Sequence, residues 1–166
     1  MAGSLYSAIP LMAALAIIQA AVLPRFAIAG VEPQLVFVVA LAWGLLRGLE
    51  EGLVWAFIAG IWVDLLSVTP VGLSALAFMG GVAVPVLLQQ VMPPRRLLVS
   101  VIMAVLGTSI YLAFYALSLR IFGHPVSLRT LLELLPLIAF HAVLIEPVYL
   151  LLASIVRVLK PRRVEF

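Results

Sequence analysis

An all-α membrane protein, with six transmembrane helices in one compact bundle, is predicted by three features of this 166-residue chain. Hydrophobic residues make up 66% of it and charged residues only 10%. The mean hydropathy is +1.29, more apolar surface than a soluble core can hide. The charges fall in short clusters between six almost purely apolar stretches, each to be compared with the roughly 20 residues that cross a hydrocarbon layer about 30 Å thick. No polar segment is long enough for a soluble domain, so residues 1–166 read as a single polytopic membrane domain.

Leu5 to Leu23 forms the first span. It is too long for the apolar region of a cleaved secretory signal and lacks a positive leader, so it is expected to be retained, ending at Pro24 and Arg25. Pro33 suits the first turn of a second helix that runs to Leu46 and is the shortest apolar run. Leu53–Ser67, Gly72–Val91, Leu97–Leu119 and Leu131–Leu159 give the third to sixth spans. The last exceeds a bilayer and is expected to tilt or emerge. Pro85 and Pro147 lie inside the fourth and sixth, where each lacks a backbone donor for the carbonyl four residues earlier, that of Gly81 or Val143, so bends are expected there.

Lys and Arg near helix ends are retained on the cytoplasmic side. With six spans, one face holds the amino terminus, Arg47, Arg95, Arg96, Arg157, Lys160, Arg162 and Arg163, seven basic residues, while the other holds three, Arg25, Arg120 and Arg129. Both termini are therefore expected in the cytoplasm. The net charge of +3 and the pI near 9.8 follow from this arrangement and do not point to nucleic acid. A basic tail beside a membrane suits anionic lipid headgroups. The absence of cysteine excludes disulfides, thiol catalysis and thiolate metal sites.

Small residues recur four apart along several helices: Ala16 and Ala20 on the first, Ala40, Gly44 and Gly48 on the second, and Gly52, Ala56, Gly60 and Asp64 on the third. In lipid, where the hydrophobic effect between helices is absent, such rows let backbones approach and so mark contact faces. They serve either to assemble this chain or to dock another protein's helix.

Ionisable residues at membrane depth normally face the bundle interior and find partners. Asp64 lies within the third span, where it is expected to accept hydrogen bonds from a neighbouring helix or from the turn between Val68 and Gly72. Glu146 stands mid-way along the sixth, just before Pro147 and on the same face as Tyr149. His141 is five positions earlier, about 140° around the helix, so it does not share that face, and Asp64 is its candidate partner instead. Two carboxyls and one histidine are thin for a proton path. For catalysis there is no cysteine, nucleophile elbow, metal-spaced histidine cluster or phosphate-binding glycine loop. No cofactor is expected, and His124, beside Pro125, reads as a solvated loop residue.

The stretch from Glu32 to Gly72, EPQLVFVVALAWGLLRGLEEGLVWAFIAGIWVDLLSVTPVG, resembles the rod shape-determining membrane proteins of the MreD family. The resemblance is carried by Pro33 opening an aliphatic helix with an aromatic at Trp43, by Gly52, by Gly60 four before Asp64, and by Gly72 after a short turn. The sixth span, with Pro147 in a Leu-rich helix and a basic end, also fits, whereas Glu146 before Pro147 departs from the family pattern. The resemblance implies a non-enzymatic inner-membrane scaffold of the bacterial elongation machinery. Its implied partners are MreC and, indirectly, the peptidoglycan synthase and the actin-like filament system. The implied fold is similar to the substrate-binding subunits of energy-coupling-factor vitamin transporters, which supplies the alternative of a solute-binding subunit. Such a subunit needs polar and aromatic groups converging on an outward pocket, and the outer connections are poor in them. An intramembrane enzyme built on Asp64, His141 and Glu146 ranks last.

Overall fold

The computed structural model describes residues 2–26, 32–68, 70–92, 97–121, 123 and 135–159. The described residues form six α-helices and no strand. They are α1 (Ala2–Val22), α2 (Leu35–Arg47), α3 (Leu49–Leu65), α4 (Leu73–Gln89), α5 (Leu97–Ile121) and α6 (Leu135–Leu159), with a 3₁₀ turn at Leu23–Phe26. Three of them, α1, α5 and α6, are long and apolar enough to cross a membrane, and α2 and α4 are shorter apolar helices.

The architecture is a ring of helices around α2. α2 packs on every other helix, and the ring runs α1, α3, α4, α5, α6, with no contact between α6 and α1. At 13 residues and 1.5 Å per residue, α2 is only about 20 Å long. Val36 to Leu45 are all buried, as befits a helix that is apolar all round. Phe37 links it to three neighbours, its ring lying 5.2 Å from that of Phe78 on α4, 5.3 Å from Tyr111 on α5 and 5.6 Å from His141 on α6.

The starts of α2 and α3 both differ from the sequence expectation, each for a physical reason. α2 starts at Leu35, not at Pro33, because Gln34 is its cap residue and the Leu35 N–H turns back to the Pro33 carbonyl at 3.1 Å. α3 starts at Leu49, four residues early, because Gly48 alone reverses the chain. Its φ of 98° lies in the left-handed region that only glycine enters freely. Glu50 and Glu51 thereby fall in the first turn of α3, where acidic side chains complement the helix dipole, and not in a loop.

α4 and α6 run through Pro85 and Pro147, and α1 contains Pro10 as well. α1 ends at Val22, before Pro24 and Arg25, which belong to the 3₁₀ turn. His124, Arg95, Arg96, Arg129, residues 131–134 and the tail from Lys160 onward lie outside the described residues.

Candidate functional site

The polar groups buried in this bundle cluster where short helices begin. A helix leaves its first N–H groups without intrahelical acceptors, and in an apolar interior each must find one. At the start of α2 the acceptors come from distant helices. The Gln34 N–H donates to Nε2 of His141 on α6 at 3.0 Å, and the Val36 N–H donates to Oε1 of Gln19 on α1 at 3.2 Å. The Gln19 amide donates in turn to Oε1 of Gln34 at 2.6 Å. Because Nε2 of His141 accepts a hydrogen bond, its proton sits on Nδ1. Nδ1 faces Oγ1 of Thr108 at 2.9 Å, and the Thr108 hydroxyl donates its own hydrogen bond to the Ala104 carbonyl at 2.7 Å. One chain of hydrogen bonds thus ties α1, α2, α5 and α6 together.

Asp64 does the same for α4. It is buried near the end of α3 and accepts the Gly72 N–H at 2.7 Å and the Ser74 N–H at 3.2 Å. Gly72 precedes α4 with φ 100°, a conformation glycine adopts at no steric cost. An acidic side chain at this N-terminus also complements the helix dipole.

No hydrogen bond joins His141 to Asp64, its candidate partner, among the described residues. Each is engaged by a different helix start, His141 by α2 and Asp64 by α4. Glu146 and Tyr149 are both half-buried on α6. Neither carboxyl oxygen of Glu146 has a hydrogen-bond partner among the described residues.

The small-residue rows lie at contacts within the chain. A Cβ on Gly52 would come within 2.6 Å of the Gly44 Cα, closing the α2–α3 hairpin, and one on Gly60 would overlap the backbone of Ala75 on α4. Ala40, Ala56 and Ala16 are buried in the same core. Gly48 is the hinge of the hairpin and Gly72 the entry to α4. Ala20 is exposed at the rim of a cavity of about 260 Å³ lined by Ala16, Gln19, Glu32, Gln34, Val63 and Ser67, among others.

Several polar residues of this framework are not evident from spacing along the chain. Gln19, Gln34 and Thr108 join the framework through partners on other helices, and their one signal is a polar side chain inside or beside an apolar run. A clamp at the opposite end of α2 also goes unread. Trp43 Nε1 donates to Glu51 at 3.0 Å, Arg47 pairs with the same carboxylate at 3.1 Å, and the Trp43 ring stacks on Trp55 with centroids 4.1 Å apart.

The family model of the rod shape-determining protein MreD matches residues 3–159. The chain belongs to the MreD family. No curated protein matches the chain, and no solved structure does. Membership makes it a rod-shape-determining membrane protein, and the MreD family is a family of structural membrane proteins and not of known enzymes. It gives no support to the vitamin-transporter alternative. In this MreD chain Asp64, His141 and Gln19 accept backbone N–H groups at helix starts.

Proposed function

We propose that this MreD chain is a non-enzymatic scaffold of the cell-elongation machinery that binds the transmembrane helix of MreC and helps organise sidewall peptidoglycan synthesis. In this reading residues 1–166 are one polytopic domain crossing the inner membrane six times, with both termini cytoplasmic and the basic tail near anionic lipid. The synthase and the actin-like filament system are reached through MreC. No cofactor and no catalytic residue take part.

The observation that carries the reading is the use of the polar interior. Asp64 and His141 are engaged at helix starts, with their acceptor atoms occupied by backbone N–H groups, which favours a rigid body over a reaction centre. The ring offers lipid-facing surfaces for a partner helix, with Ile9 and Ile17 exposed on α1 and Phe57 on α3. Gly52 and Gly60 are engaged inside the chain, so the partner surface is sought on the exposed faces and not on the rows themselves.

Photocrosslinking residues placed singly at Ile9, Ile17 and Phe57 in living cells test this. Crosslinks to MreC are expected from at least one of these positions and none from the buried Ala56. MreC captured from no exposed position, with the chain present at normal level, would overturn the reading.

A further inference from the structure

We propose that the cavity between α1, the start of α2 and the end of α3 holds the headgroup of a phospholipid that carries a primary ammonium beside its phosphate. The cavity has a volume of about 260 Å³ and is lined by Ala16, Gln19, Glu32, Gln34, Val63 and Leu66, among others. Pockets for drug-sized ligands begin at roughly 300 Å³, so this one suits a headgroup. α2 has 13 residues and is about 20 Å long. With the exposed Arg47 at one membrane surface, the start of α2 lies about 10 Å inside an apolar layer about 30 Å thick. Polar groups at that depth need partners.

The polar groups on the wall set the chemistry of the occupant. The Val36 N–H can only donate, so Gln19 turns Oε1 toward it and its NH₂ toward Oε1 of Gln34. That orientation leaves the Nε2 hydrogens of Gln34 without an acceptor among the described residues. Glu32, half-buried two positions earlier, is the one charged side chain among the described wall residues. Its carboxylate makes no ion pair or hydrogen bond among the described residues. A carboxylate beside an amide donor is matched by a cation beside an anionic oxygen. A phosphoethanolamine headgroup has both, its ammonium donating to Glu32 and its phosphate accepting from Gln34.

The rim favours a lipid over a free solute. It is formed by Ala20 and Pro24 on one side and by Leu66 and Ser67 on the other, all exposed. The rim continues into exposed apolar surface, with Ile17 three positions before Ala20 on α1 and Leu65 on α3. Acyl chains can lie along that surface while the headgroup enters from the side, and α1 is itself long and apolar enough to cross a membrane. A trimethylammonium has no N–H to give Glu32, and an anionic headgroup meets the carboxylate as a like charge. The inference rests on α1 and α3 lying in the membrane and not on MreC, so its failure and that of the scaffold reading are told apart.

The test titrates the full chain in detergent with phosphatidylethanolamine, phosphatidylglycerol and phosphatidylcholine of matched acyl chains, bound lipid being counted by native mass spectrometry. One phosphatidylethanolamine is expected to bind about tenfold more tightly than either other lipid, the contribution of one charge-assisted hydrogen bond. The isosteric E32Q is expected to remove that preference and, without lipid, to melt together with the parent. Equal binding of the three lipids or a preference that survives in E32Q would overturn the proposal. So would an E32Q chain that melts lower without lipid, because the partner of Glu32 would then lie inside the protein. Free phosphoethanolamine that displaces the lipid at equal concentration would overturn the lipid as occupant, since the tails would then contribute nothing.

Discussion

At the scale of single residues, two side chains show how polar groups are used in an apolar interior. His141 is fully buried and bridges the Gln34 N–H and Thr108, so replacing it with Leu leaves an N–H at the start of α2 without its acceptor. H141L is expected to lose about 1–3 kcal/mol of stability, the usual penalty for a stranded buried donor. Asp64 offers a graded series, since Asn keeps one acceptor oxygen for Gly72 or Ser74 and Ala keeps none. Thermal unfolding in detergent is expected to rank parent above D64N and D64N above D64A. D64A as stable as the parent would remove Asp64 from the framework. The sequence made Asp64 legible, because a carboxyl eight residues before a turn glycine has a local N–H to reach. It did not make the partner of His141 legible, because Gln34 is 107 positions away and spacing along one helix says nothing about which helix lies opposite.

At the scale of elements, close approach is set by glycine and chain reversal by backbone conformation. A side chain at Gly60 meets the backbone of Ala75, which has no flexible end to move aside. G60A is expected to cost about 1–3 kcal/mol and G60L to leave little folded protein on size exclusion in detergent. An exposed site such as Leu76 is expected to tolerate Ala within about 0.5 kcal/mol. A folded, parent-like G60L would show that α3 and α4 do not pack as described. The four-residue rows were readable in the sequence because they repeat along one helix face. The equally tight approach of α4 and α5, where a Cβ on Gly107 would come within 2.5 Å of the Gly81 carbonyl, escaped because Gly107 has Met103 and Tyr111 four positions to either side, not small residues. The start of α3 escaped for another reason. Two glutamates after an arginine and a glycine read as a polar loop, yet Gly48 reverses the chain within one residue and the acids become the first turn of the helix.

At the scale of the whole molecule, hydropathy made the all-α class of the described residues legible, while the central place of α2 was not. A run of ten consecutive buried residues looks in sequence like any short span, and only the surrounding ring of five helices distinguishes it. The distribution of Lys and Arg gives the molecule a direction that can be checked. Reporters fused to the two ends are expected on the cytoplasmic side together, and reporters on opposite sides would contradict six crossings. The central claim is that the buried polar residues hold a scaffold together and perform no chemistry. The most direct measurement follows cell shape, folded protein and recovered MreC side by side, in rod-shaped cells that depend on this chain, for the parent, D64N and H141L. Rod shape is expected to fall only as far as the folded chain and its MreC complex fall. Round cells that still contain the folded variant bound to MreC at the parental level would contradict the account.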